Sequence, residues 1–232
     1  SITVPPELGL QLMDHHGSLR VTIRSTMDRD YTLNVFGTRK GHKHEKLILC
    51  AHYDTAFNCP GAVDNSAGLA CLLSLAEILG QLEFSCGIDL ITFSGEEFAA
   101  IGDQAYLQYE PDFENMLAVI NMDGVGQKLG NNTLTAIGTS KALEAEVKKI
   151  KSDYPMMVWA EPWYESDHTL FLMNGVPCLP LNSLGINDIY HQPKDQLKWV
   201  SPSKLEEVID VVLKIMNTLQ DQSLSWCRPT SD

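Results

Sequence analysis

At 232 residues and 44% hydrophobic content, the chain can bury one large core and fits a single α/β domain. Seventeen Lys plus Arg stand against 30 Asp plus Glu, which argues against a nucleic-acid partner because binding to phosphates is dominated by positive charge. No apolar run reaches the ~18–20 residues that a membrane span needs.

The six cysteines, Cys50, Cys59, Cys71, Cys86, Cys178 and Cys227, show no CxxC and no regular spacing, and Cys50, Cys71 and Cys178 sit in apolar runs as buried free thiols do. They leave the compartment open. At the start, Glu7 to His15 is a short amphipathic piece and Leu19-Arg20-Val21-Thr22-Ile23-Arg24 alternates like a strand. Thr32 to Gly37 alternates in the same way, and Gly41 to Lys46 is a polar turn. His15, His16, His42 and His44 lie in polar surroundings and read as solvated.

The next stretch organises the rest. The apolar run Lys46 to Ala51 ends in His52 and Asp54, and a Gly/Pro-bounded loop then delivers Asp64 at the mouth of an apolar helix, Ser66 to Leu82. The N-terminus of that helix points at Asp64, where its dipole favours an ionised carboxylate. Ile88 to Phe93 reads as a buried parallel strand running into Ser94-Gly95-Glu96-Glu97. A helix follows over Ala99 to Tyr109, closed by Pro111, and Leu117 to Ile120 then runs into Asn121-Met122-Asp123.

Gly124-Val125-Gly126 lacks the spacing of a nucleotide loop and reads as a turn. Leu134 to Ile137 is a strand and Lys141 to Lys151 a charged-faced helix, while Tyr164-Glu165-Ser166-Asp167-His168 is a cap-like opening of a helix through Met173. The run Val176 to Leu181 precedes a loop carrying Tyr190-His191-Gln192-Pro193. Ser201-Pro202 starts a last helix to about Leu219, with Leu205, Val208, Ile209, Val212, Ile215 and Leu219 facing the sheet, and the tail from Arg228 is loose.

In open α/β sheets, functional groups collect outside the carboxyl ends of the strands, so these exits converge on one crevice. Each motif alone has a bland reading: a Glu-Glu pair is usually a solvated face, Asp64-Asn65 a helix cap, His191 a loop residue. Taken in order, His52-Tyr53-Asp54, Asp64-Asn65-Ser66-Ala67-Gly68, Glu96-Glu97, Asp123 and His191 resemble the M28 zinc aminopeptidases, relatives of glutaminyl cyclases and glutamate carboxypeptidases, over the chain from about Asn34 to the final helix.

The resemblance implies a three-layer α/β sandwich with a mostly parallel mixed sheet. It also implies two zinc ions, replaceable by cobalt or manganese, with Asp64 bridging, His52 and Asp123 completing one site, and Glu97 and His191 the other. Asp54 would orient the His52 imidazole and Glu96 would act as general base and then acid. Tyr164 would stabilise the oxyanion, Trp159, Trp163 and Tyr190 would line the cleft, and the Asp64–Asn65 peptide would be cis. Residues 1–24 would be either a simple strand–helix start or the exit from an inserted protease-associated domain of a longer polypeptide, and the family leans toward export.

The activity implied is exopeptidase cleavage at free N-termini. The loops Thr55 to Val63, Gly124 to Asn132 and Leu184 to His191 rise from one sheet edge and would close one end of the cleft, leaving a blind end walled by carboxylates. Two other readings stand beside this one. A glutaminyl cyclase would use a single zinc on the same fold, and a peptidase-like binding domain would have lost ligands or Glu96.

Overall fold

The computed structural model describes residues 4–24, 26 and 28–229. The chain divides into two units, Ser1–Tyr31 and Thr32–Asp232. The first carries one helix, α1 (Pro6–Met13), with Pro6 at its first turn, where a missing N–H costs nothing. Leu19 to Arg24 forms no strand despite its alternation: its side chains are exposed, and among the described residues this unit holds no second strand to pair with.

The second unit is built on a seven-stranded mixed sheet. In chain order its elements are β1 (Val35–Arg39), β2 (Lys46–His52), α2 (Gly68–Leu79), β3 (Gly87–Phe93), α3 (Ile101–Leu107), β4 (Met116–Met122), β5 (Asn132–Leu134), α4 (Lys141–Ser152), β6 (Val158–Trp159), α5 (His168–Met173), β7 (Cys178–Ser183), α6 (Pro202–Leu219) and α7 (Leu224–Cys227). The spatial order is β1-β3-β2-β4-β7-β5-β6. Strands β3, β2, β4 and β7 run parallel, and β1 and β5 flank them antiparallel. β2 and β4 therefore lie in the middle, and both are buried along nearly their whole length.

Alternation along β2 sends Leu47, Leu49 and Ala51 to one face and Ile48 and Cys50 to the other. The first face packs on α2, α4, α6 and α7, and the second on α3 and α5, where Phe93, Tyr106 and Phe171 meet edge to face or tilted. This is the expected three-layer arrangement. The α6 stripe is wider than predicted: Val211 and Met216 join Val208, Val212, Ile215 and Leu219 in the core, whereas Leu205 and Ile209 are partly buried. β5 also sits earlier than its alternation suggests, and Ile137 makes a separate bridge to Cys178.

The stretch Ala62–Leu79 has the length and hydropathy of a membrane-spanning helix. Its first six residues instead form an irregular turn, with Asp64 (φ −119°, ψ 91°) and Asn65 (φ −135°, ψ 33°) outside helical geometry, and α2 behind it buries Cys71, Leu72, Leu75 and Leu79 on the sheet. The helix thus begins at Gly68 and not at Ser66. Gly68 is required by a close approach, because a Cβ there would lie 2.2 Å from the Met122 carbonyl and 2.3 Å from Asn65 Oδ1. Gly68→Ala should therefore destabilise the fold by at least ~2 kcal/mol. Chemical denaturation checks this, and an unchanged midpoint would mean that α2 can shift off the end of β4.

Candidate active site

The carboxyl ends of β2, β3, β4 and β7 deliver the candidate residues to one edge of the sheet, as the topology of an open α/β fold requires. His52 is the last residue of β2, Asp123 follows β4, Glu96 and Glu97 follow β3, and His191 lies in the loop after β7. The fifth group, Asp64, comes from the turn before α2.

Asp64 lies between the two imidazoles. Its Oδ1 is 3.2 Å from His52 Nε2, and its Oδ2 is 3.2 Å from His191 Nε2. His52 Nε2 also lies 3.3 Å from Asp123 Oδ1, and His191 Nε2 lies 3.0 Å from Glu97 Oε2. Two sets of candidate ligands result, His52–Asp64–Asp123 and Asp64–Glu97–His191, with Asp64 common to both. All donors are imidazole nitrogens or carboxylate oxygens, a set suited to zinc, cobalt or manganese. Glu97 Oε1 is buried without a hydrogen-bond partner, so the fit to a cation does not rest on proximity alone.

The turn carrying Asp64 is held from several directions. Both oxygens of the buried Asp195 accept backbone N–H bonds, from Val63 at 2.8 Å and from Asp64 at 3.0 Å. Asn65 Oδ1 accepts from the N–H groups of Gly68 and Gly124, and its amide donates to the Met122 carbonyl at 2.9 Å. The Asp64–Asn65 peptide is cis.

Asp54 has a broader role than the sequence suggests. His52 Nδ1 lies 3.1 Å from the Asp54 carbonyl and 3.6 Å from its carboxylate. The carboxylate oxygens accept the backbone N–H groups of Glu96 and Glu97, each at 3.2 Å. One residue therefore positions both an imidazole and the Glu-Glu turn.

Electrostatics separates the carboxylates. Burial works to raise the Asp64 pKa, but hydrogen bonds from His191 and His52 reverse it and hold the group at about 2. The two imidazoles therefore favour the ionised form of Asp64. Burial pushes Glu96 up to about 8, reinforced by Asp123, and Glu97 to about 7, reinforced by Asp64. For His52, burial acts downward, yet the charge of Asp123 and hydrogen bonds to Asp123, Asp54 and Asp64 carry it well above the usual histidine value.

A cavity of about 530 Å³ opens over these groups, and Asp64, Glu96, Asp123 and Glu165 give it four carboxylates. Trp163, Ile186 and Tyr190 supply apolar wall. Of the three loops expected to close the cleft, that after β7 contributes Ile186, Tyr190 and His191, whereas Thr55 to Cys59 border a separate depression. Trp159 packs against the core, and Tyr164, half exposed, borders a neighbouring depression and not this cavity.

Behind the cavity, Ser166 and Asp167 do not cap α5 with their side chains. Ser166 Oγ accepts from Asn121 at 2.8 Å. His168 is fully buried, its pKa lowered first by that burial, and it pairs with Asn121 and with the Trp163 carbonyl at 2.9 Å, which fixes the cavity wall. Asn121, Asp195 and Asp103 were not singled out from the sequence. Asn121 and Asp195 are polar residues beside the motifs that carry the candidate ligands, and Asp103 lies on a predicted helix, so their burial is what the sequence does not signal.

The fold is that of zinc aminopeptidases. A solved zinc aminopeptidase from Bacillus subtilis superposes with a TM-score of 0.71 at 21% identity, covering 84% of this chain and 52% of that one. A Porphyromonas gingivalis glutaminyl cyclase gives 0.66 at 21% identity, covering 80% and 76%. Aminopeptidase YwaD of Bacillus subtilis is 27% identical over an alignment of 199 positions that covers 77% of this chain and 43% of that protein. The model of Peptidase family M28 matches residues 34–216, and the chain belongs to that family. It spans less than half the length of the curated relatives it matches, 20% of one and 43% of another.

One buried pair affects stability directly. The Asp103 and Asp167 carboxyls are buried near each other, and burial raises both, Asp103 to about 6. An aspartate whose folded value is raised contributes its full stability below the unfolded value of ~3.9 and loses it as pH climbs through about 6. Asp103→Asn removes that titration at nearly constant size. The variant should melt above the parent at pH 8, by up to ~3 kcal/mol, with the gap closing toward pH 4. A gap independent of pH would show that the two carboxyls do not compete for ionisation.

Proposed function

We propose that the chain is the catalytic part of a dinuclear zinc exopeptidase that removes N-terminal residues from peptides. The observation that carries this reading is Asp64, shared between two ligand sets, with Glu96 beside them and bound to neither imidazole. His52, Asp64 and Asp123 would hold one zinc, and Asp64, Glu97 and His191 the other. When bound, zinc lowers the pKa of a nearby water and polarises the scissile carbonyl.

The residues of the chain do the rest. Glu96 and Glu97 are adjacent, and only Glu97 reaches an imidazole. Glu96 lines the cavity and is left to take a proton from the attacking water and return it to the leaving amine. Asp54 holds the backbone of both glutamates, so base and ligand keep a fixed spacing. Asp195 fixes the backbone of Asp64 from the other side. The carboxylate-lined cavity suits the α-ammonium group of a substrate, held by Coulomb attraction that strengthens as water is excluded.

A cyclase of the same fold would need one zinc and no second ligand set. Both sets are present here, and both glutamates are intact, so neither the cyclase nor a non-catalytic binding domain accounts for the site as well.

Glu96→Gln should retain two zinc per chain and lose at least ~100-fold in kcat, the usual size of a general acid–base contribution. A fall in metal content would make Glu96 a ligand and overturn its role. Acetylating the N-terminus of a peptide substrate should remove most of kcat/KM. Equal hydrolysis of free and acetylated peptides would shift the reading to an endopeptidase or deacylase, and one zinc per chain with cyclisation of N-terminal glutamine would shift it to the cyclase.

A further inference from the structure

Glu96 stands between two cavities. The second, of about 400 Å³, shares Glu96 and Glu165 with the first and extends away from the ligand sets. Its apolar wall comes from two elements, Ala99, Ala100 and Leu107 from α3 and the turn before it and Leu170 and Met173 from α5, and polar side chains such as Gln104 and Thr169 lie among them. Met173 is 82% exposed and Leu107 43%, so the fold leaves large apolar side chains uncovered together beside the candidate base. The turn that forms part of this wall is itself unusual. Ala99 and Ala100 take φ of 64° and 51°, consecutive left-handed positions that cost on the order of 1 kcal/mol each and cluster at ligand sites.

We propose that this second cavity receives the side chain of the residue on the leaving side of the scissile bond and selects apolar residues there. The inference rests on the aminopeptidase reading and refines it. A group that returns a proton to the leaving nitrogen must lie within ~3 Å of it, so the nitrogen sits at Glu96. The first residue, with its α-ammonium, occupies the carboxylate-lined cavity. The peptide beyond the nitrogen must then continue past Glu96, and the surface it meets is the second cavity. Leucine or phenylalanine at this position would cover Leu107 and Met173. An acidic side chain would meet Asp103 and Glu165, which line the same space, and no lysine or arginine lines it to offset them.

The test measures kcat/KM of the zinc-loaded full chain on Ala-Leu, Ala-Gly and Ala-Glu. Burying a leucine side chain favours Ala-Leu over Ala-Gly by about tenfold or more, with Ala-Glu the poorest. The variant Leu107→Asp/Met173→Asp changes two accessible positions and should lower kcat/KM for Ala-Leu at least ~5-fold more than for Ala-Gly. The control Leu82→Asp, on an exposed residue past the far end of α2 that lines neither cavity, should leave the ratio unmoved. Equal rates for the three dipeptides, or equal losses in the double variant, would overturn the subsite while leaving the aminopeptidase reading intact. If no peptide with a free N-terminus is cleaved, that reading falls and the subsite with it.

Discussion

The site depends on one carboxylate being offered in two directions at once. Asp64 can face both His52 and His191 only because its backbone is fixed independently of its side chain. Asp195 takes the N–H of Val63 and of Asp64, and Asn65 ties the same turn to Met122 and Gly124 at the end of β4. The side chain is then free to spend each oxygen on a different imidazole. Gly68 belongs to the same constraint, since the turn can lie against the Met122 carbonyl only where no Cβ intervenes.

The same crowding sets the charge balance. Asp64, Glu96, Glu97 and Asp123 are gathered in a partly buried space, where like charges interact strongly because little water screens them. Without added positive charge, the chain meets this by holding protons: Glu96 and Glu97 are pushed toward about 8 and about 7, and His52 is raised by its carboxylate neighbours. Positive charge among these groups would reverse the sense of each shift. The geometry is that of a cage whose natural occupant is cationic.

Much of this was legible in the sequence because the ligand motifs coincide with abrupt ends of apolar runs. His52 ends a seven-residue strand, and the Glu96–Glu97 and Asp123 segments follow strands whose β-branched and apolar content marks them as buried. What stayed hidden depends on contacts distant in the chain. Asp195 is 131 residues from the Asp64 N–H it holds, and nothing around Lys194-Asp195-Gln196 distinguishes it from a loop acid. Asp103 stands on the helix expected over Ala99 to Tyr109, and only the packing of α3 near the start of α5 puts it beside Asp167. The strand read over Leu19 to Arg24 failed for the complementary reason: alternation reports two faces, and a strand also needs a neighbour.

Fold similarity alone leaves the chemistry open, since aminopeptidase and cyclase structures superpose on this chain with TM-scores of 0.71 and 0.66. The distinction lies in how the ligand sets are used. A single cation at Asp64, Glu97 and His191 would leave His52 between Asp64 and Asp123 with no cation of its own, in a pocket where His52 is 1% exposed and its second nitrogen is already held by Asp54. Burying an imidazole between two carboxylates and orienting it from behind is costly for a purely structural contact, because each charged group must be desolvated. The arrangement is economical only if that half of the site also engages a cation. The supporting contacts of Asp54 on one side and Asp195 on the other therefore fit the proposed pair of positions sharing Asp64.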